Sequence, residues 1–182
     1  MSETPDTPCP ATEEDLFAFL DRLGIETKTI RHPAVFTVEE ARSLRGDLPG
    51  GHCKSLFLKD KKGKLWLAVV LEHRVVDLKA LAERIGAARI SFGSETRLYD
   101  TLGIRPGSVT PFALINDPGH RVTVVLDKGM LALSPLHYHP LDNRATTAIA
   151  PEDLLKFIDA CGHERLIVDI PERTAQGAPD GG

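Results

Sequence analysis

Residues 54–71 read KSLFLKDKKGKLWLAVVL, and the fold class turns on how this stretch is read. Apolar residues alternate over Lys54–Asp60 and run on unbroken through Leu65–Leu71, with Lys61-Lys62-Gly63-Lys64 between them. A period of two, interrupted by a polar turn carrying glycine, predicts two strands joined as a hairpin. Downstream, apolar residues recur helically over about Leu78–Ile85 and Glu95–Leu102, and Gly86 and Gly103 serve as stops. PFALIN (111–116), RVTVVLD (121–127), ATTAIA (145–150) and LIVDI (166–170) read as further strands. Pro151 opens a helix whose apolar face is Leu154, Leu155, Ile158 and Cys161, ended by Gly162. Upstream, Glu26–Arg31 reads as a strand. Thr12 caps a helix with an acidic first turn, and Thr37 with Glu40 opens a short helix through Leu44. Irregular alternation with hairpin-like pairs predicts an α/β chain with a mixed, largely antiparallel sheet flanked by helices, not a doubly wound parallel one.

The chain has 182 residues, enough for one domain of the usual ~150 plus short extras. We expect a leader over residues 1–11, one domain over 12–170 and a flexible tail over 171–182. Apolar residues at 42% are too many for a disordered chain. A formal charge of -4 argues against coating DNA or long RNA, but it permits gripping the end of an RNA. No apolar run approaches the roughly 18–20 residues that span a bilayer, and the N-terminus lacks a secretory pattern. Cys9, Cys53 and Cys161 are too few and too scattered for a disulfide framework. A cytoplasmic protein without membrane attachment is expected.

Several patterns invite a chemical reading. GDLPGGHCKS (46–55) is not a P-loop, because Cys53 rather than glycine precedes Lys54 and a strand rather than a helix follows. Strand alternation puts Lys54 with Leu56 and Leu58, and Cys53, Ser55 and Phe57 on the other face. Lys54 is either a strand-end cation reaching water or one that projects from a core-facing row into a cavity. Pro106–Pro111 is a turn-forming loop with Gly107 inside it, either structural or presenting amides to a ligand. His137-x-His139 lacks the supporting ligands of a metal site, and no serine sits in a nucleophile elbow. Cys53 reads as a small buried residue. Lysines 59, 61, 62 and 64 form a solvated turn or a local phosphate contact.

Taken in order, His32-Pro33, GGHCKSLFLKDKKGKLWL (50–67), SFGSETRLYDTLGIRPGSVTPFALIND (91–117), VLDK (125–128) and HPLDNRATTAI (139–149) resemble the YbaK/ProX family of prolyl-tRNA editing domains. The likeness is greatest to its freestanding ProXp-ala type, which deacylates Ala-tRNA(Pro). It spans about residues 12–170 and implies a barrel-like mixed sheet with flanking helices.

The resemblance implies that Lys54 is the catalytic lysine. It also implies that Gly107, Ser108, Val109, Thr110 and Pro111 form the G-x-x-x-P loop at the substrate, and that His139 is the histidine of the H-P-L segment. Ser55 stands where the alanine-specific type carries asparagine, so a position at the edge of the substrate pocket differs. The implied substrate is the acceptor end of tRNA(Pro) bearing a small amino acid, with prolyl-tRNA synthetase as an implied partner. Neither cofactor nor metal is implied.

Overall fold

The computed structural model describes residues 10–34, 37, 39 and 48–173. Eight strands form its sheet: β1 (Thr27–Arg31), β2 (Gly51–Asp60), β3 (Leu65–Leu71), β4 (Ile90–Phe92), β5 (Val122–Asp127), β6 (Leu136–Tyr138), β7 (Ala145–Ile149) and β8 (Arg165–Val168). Four α-helices, α1 (Glu13–Arg22), α2 (Leu78–Ile85), α3 (Glu95–Leu102) and α4 (Pro151–Ala160), and two 3-10 helices, η1 (Pro111–Asn116) and η2 (Met130–Ala132), complete the described elements. The strand order is β1-β7-β6-β2-β3-β5-β8, with β4 also on β2. β1–β7, β6–β7, β2–β3 and β2–β4 are antiparallel, whereas β2–β6, β3–β5 and β5–β8 are parallel. β1 and β8 end the path, so the sheet is open.

The expected hairpin forms, with Lys59 opposite Leu65 across the Lys61–Lys64 turn. Asp60 fixes that turn by accepting from the backbone N–H groups of Lys62 and Lys64, each at 2.9 Å. β3 is buried at every residue because it lies between β2 and β5 with both faces covered. Its odd positions Leu65, Leu67, Val69 and Leu71 join Phe57, Leu16, Leu20, Phe112 and Phe157 in one core. Trp66, Ala68 and Val70 point the other way, into a second core with Leu58, Leu81 and Val125. A strand covered on both faces loses the polar alternation, which is why LWLAVVL reads as an uninterrupted apolar run.

One element differs from expectation. PFALIN is not a strand but the 3-10 helix η1. Pro111 has no N–H to give a ladder and its ring presets the turn, while the Thr110 side chain accepts from Phe112 N at 3.3 Å to cap it. Pro111 to Leu114 are all buried, so the run is apolar for packing rather than for pairing. The capped helix expected over Thr37–Leu44 falls largely outside the described residues, as do residues 1–9 of the leader and 174–182 of the tail. Ala11 is tied by its N–H to Asn116 Oδ1 at 2.8 Å, and Glu172 bridges Val76.

Along one edge, β2 changes partner. β6 pairs with Gly51 and His52, and β4 pairs with Leu58 to Asp60. Among the described residues, Cys53 to Leu56 have no ladder partner on that edge. The split leaves room beside the middle of β2, and the candidate site lies there.

Candidate functional site

A cavity of about 240 Å³ lies at the split. Cys53 and Ser55 line it from β2, His137 and Tyr138 from β6, His139 just beyond, Thr146 from β7, and Ile30, Arg31 and His32 from the end of β1. Glu72, at the exit of β3, and Val109, from the Gly107 loop, close it, with Leu48 and His52 on the remaining side. Three of the positions expected from sequence, Ser55, Val109 and His139, therefore meet in one place although they lie far apart in the chain.

Lys54 is placed differently. It lies between two cavity-lining residues, but strand alternation turns its side chain to the other sheet face, with Leu56 and Leu58. Its ammonium donates to the Arg74 carbonyl at 2.5 Å. Partial burial lowers its pKa, and the negative charges of Glu72 and Glu172 oppose that. Lys54 thus stands one face away from the cavity, within electrostatic reach of the carboxylate that lines it.

The loop ahead of η1 contributes through its shape. Gly107 has φ 91°, which L side chains rarely adopt, and this turns the chain so that Val109 faces the cavity. Ser108 N–H donates to Arg105 O at 3.1 Å, Thr110 is fully buried as the cap of η1, and Pro111 begins that helix. Of the five loop positions, Val109 alone lines the cavity among the described residues.

Four histidines surround the site, and backbone carbonyls fix their rings. His139 Nδ1 donates to Ala145 O at 2.9 Å, because a carbonyl can only accept. Burial, helped by His32, pushes the His139 pKa down against the pull of that carbonyl. The ring is therefore neutral near pH 7 and keeps an Nε2 lone pair. His32 Nδ1 donates to Pro33 O at 2.8 Å, and its Nε2 is hydrogen-bonded to the Thr146 hydroxyl at 2.7 Å. His52 and His137, opposite each other in the β2–β6 pairing, stack at 4.6 Å. Their Nε2 atoms donate to Leu48 O and Pro49 O, each at 2.8 Å. Gly50 beside them has φ 104°, and a Cβ there would meet Pro135 O at 2.1 Å, so only glycine lets β2 start this close to β6.

Two further features bear on chemistry. Burial pushes the Cys53 thiol up to about 12, so it stays protonated and is a poor nucleophile. Ser55 Oγ is buried without a hydrogen-bond partner, an expense that a native fold rarely leaves without a use. No group of three His, Cys, Asp or Glu among the described residues is placed to hold a metal ion, and none of the described helices is long and apolar enough to cross a membrane.

Sequence reasoning missed Glu72, Thr146 and the partnership of His32 with His139, whose rings are 6.2 Å apart. Strand period shows which face a residue takes, but it does not show that β1, β6 and β7 converge on β2. Only the His32-Pro33 and RATTAI segments hinted at it.

Comparison with known proteins assigns the chain to a family. The family model described as the aminoacyl-tRNA editing domain matches residues 32–157. A Danio rerio protein named prolyl-tRNA synthetase associated domain-containing protein 1 is 41% identical over 159 residues, 86% of each chain. The prolyl-tRNA editing protein ProX of Acetoanaerobium sticklandii is 38% identical over 159 residues, covering 87% of this chain and 97% of its own. A crystal structure of a candidate trans-editing enzyme for prolyl tRNA synthetase superposes with a TM-score of 0.70 at 22% identity. That match covers 94% of this chain and 99% of the other, and its likeness is one of fold.

Proposed function

We propose that this chain, which belongs to the aminoacyl-tRNA editing domain family, is a trans-editing hydrolase that removes a small amino acid, foremost alanine, from mischarged tRNA(Pro). The observation that carries this reading is the convergence of Ser55, Val109 and His139 on one cavity of about 240 Å³. Its size is below the roughly 300–1,000 Å³ of sites that enclose drug-sized ligands, which suits a small aminoacyl group.

An aminoacyl ester is already activated, so its hydrolysis needs a placed water and a stabilised oxyanion rather than a protein nucleophile. Water forms a bond to the carbonyl carbon, the bond from that carbon to the ribose oxygen breaks, and the water's proton passes to the ribose oxygen. The protonated Cys53 thiol agrees with a reaction that forms no thioester. In this reading Lys54, whose ammonium is held by the Arg74 carbonyl on the other sheet face, leaves that carbonyl to bring its positive charge toward the ester or the terminal phosphate when substrate is bound. The Gly107–Pro111 loop holds the aminoacyl end through its backbone, and the adjacent ribose hydroxyl orients the water. His139 shapes the pocket, and its Nε2 lone pair accepts a hydrogen bond inside it. Ser55 Oγ bounds the small end.

Selectivity is by size. A synthetase built for proline cannot strongly reject alanine, because missing methylenes are worth only about 1–3 kcal/mol. A pocket too small for proline removes the error. The acceptor end of tRNA(Pro) is the substrate, and prolyl-tRNA synthetase is the partner protein this role implies.

The test is deacylation of tRNA(Pro) charged separately with alanine, serine, cysteine and proline, using the purified protein. Rapid loss of alanine with proline spared is the expected result. Preference for serine or cysteine moves the specificity through Ser55. No turnover on any of the four replaces the hydrolase with a tRNA- or synthetase-binding module.

A further inference from the structure

We infer that Phe92 is a stacking platform for the 3′-terminal base of the RNA whose aminoacyl group enters the cavity. This deepens the hydrolase reading and rests on it, with the acceptor end of a tRNA as substrate.

Phe92 is 60% exposed, the most exposed aromatic ring among the described residues. One apolar side chain in water is ordinary by itself. What sets Phe92 apart is its place and its fixed backbone. β4 runs antiparallel to β2, so Phe92, opposite Leu58, is its last paired residue before the stretch Cys53–Leu56 that lacks a partner on that edge. Phe92 therefore stands at one end of the split, and the His52–His137 pair of β2 and β6 stands at the other. Ser55, which lines the cavity, is three residues from Leu58 along β2, or about 10 Å at ~3.3 Å per residue. That distance matches the reach of an aminoacyl group and its ribose. The backbone is held as well. Gly93 N donates to Phe57 O at 3.0 Å, and a Cβ on Gly93 would meet the buried Phe57 ring at 2.5 Å. Glycine thus seats the end of β4 against the core, and a strand ladder rather than a loose loop carries the exposed ring.

The faces of the sheet agree. Directly paired residues project from the same face, so Phe92 shares with Leu58 the face that carries Lys54. An aminoacyl group in the cavity lies on the Ser55 face. The nucleotide that carries it leaves through the open edge, where Lys54 and Phe92 stand on the other side. A chain with a formal charge of -4 draws little affinity from phosphates. An uncharged ring gains by stacking on a base without needing to displace counterions, because every base has a π-face.

The probe is an acceptor-stem RNA hairpin carrying a non-hydrolysable 3′-alanylamide, made in one form with its 3′-terminal base and in another abasic at that nucleotide. Dissociation constants are measured by calorimetry for the wild type, Phe92→Ala, Phe92→Leu and Phe92→Tyr. Phe92→Ala is expected to bind the complete RNA about 5- to 100-fold more weakly, the usual cost of losing one stacked base. Phe92→Tyr keeps a ring and binds as the wild type does. Phe92→Leu, apolar but without a π-face, shares most of the loss and serves if Phe92→Ala does not fold. The abasic RNA should bind the wild type as weakly as the complete RNA binds Phe92→Ala, and combining the two changes should cost nothing more. Unchanged affinity in Phe92→Ala, full affinity in Phe92→Leu, additive losses with the abasic RNA, or no binding by the wild type overturns the assignment. Deacylation of alanyl-tRNA(Pro) by the wild type is scored separately. Turnover with binding independent of Phe92 removes the platform and leaves the hydrolase. Base-dependent binding without turnover leaves the platform and removes the hydrolase.

Discussion

At the scale of single residues, Lys54 and Ser55 show how one step along a strand separates two roles. Adjacent on β2, they face opposite sides of the sheet: Ser55 enters the cavity and Lys54 turns to the Arg74 carbonyl. Lys54→Ala is expected to lower kcat for alanyl-tRNA(Pro) about 100-fold or more, the usual cost of removing a group that stabilises developing charge. Its urea midpoint should stay near the wild-type value, because a half-exposed lysine bonded to a carbonyl adds little stability. A rise in KM with kcat unchanged assigns Lys54 to the terminal phosphate, and unaltered kinetics remove it from the mechanism. The candidates came from the likeness to a family of editing domains, because the residues by themselves left Lys54, the Gly107 loop and His139 open between structural and functional readings. Their grouping was legible only in part. Alternation told which residues share a face with Lys54, but not that both faces of β2 are covered and that the cavity opens on the Ser55 side.

At the scale of elements, the turn leaving β3 links stability to the site. Asp127 is fully buried and accepts from Leu71 N, Gly129 N and the Arg74 guanidinium, so it fixes the segment that carries Glu72 and the carbonyl bound by Lys54. Asp127→Ala leaves two backbone donors and a mostly covered guanidinium without their partner. It is expected to cost about 3–5 kcal/mol in urea unfolding. Asp142→Ala removes an ion pair to Arg144 that is largely exposed, and should cost under about 1 kcal/mol. Comparable losses in the two variants would mean that Asp127 is not the anchor its burial indicates. Elements with their own stop signals were the legible ones: α2 and α3 end at Gly86 and Gly103, both left-handed, where the sequence places the breaks. η1 was not legible as a helix, because an apolar run of this length fits a strand equally well and only Thr110 and Pro111 tip it. β4 and β6, three residues each, are made by pairing with β2 rather than by their own pattern.

At the scale of the whole molecule, the distribution of charge limits how the protein can hold an RNA. The formal charge is -4, and Arg31, Arg74, Arg121, Arg144 and Arg165 each have a carboxylate within 4.0 Å. Those cations are already paired, so among the described residues few remain near the cavity to displace counterions from phosphates. The lysines at the Lys61–Lys64 turn lie at the far end of β2, about 20 Å from Ser55 at ~3.3 Å per residue. Binding confined to the single-stranded acceptor end should therefore neutralise about two or three phosphates. The logarithm of the tRNA association constant should then fall with the logarithm of salt at a slope near -2, given about -0.7 per phosphate for single strands. Fluorescence titration of the acceptor-labelled tRNA between low and moderate salt measures this slope. A slope of about -5 or steeper would mean that the duplex stem is gripped as well, with the lysine turn as the surface to examine. A shallow slope places recognition at the cavity and leaves the RNA to be held chiefly by its end.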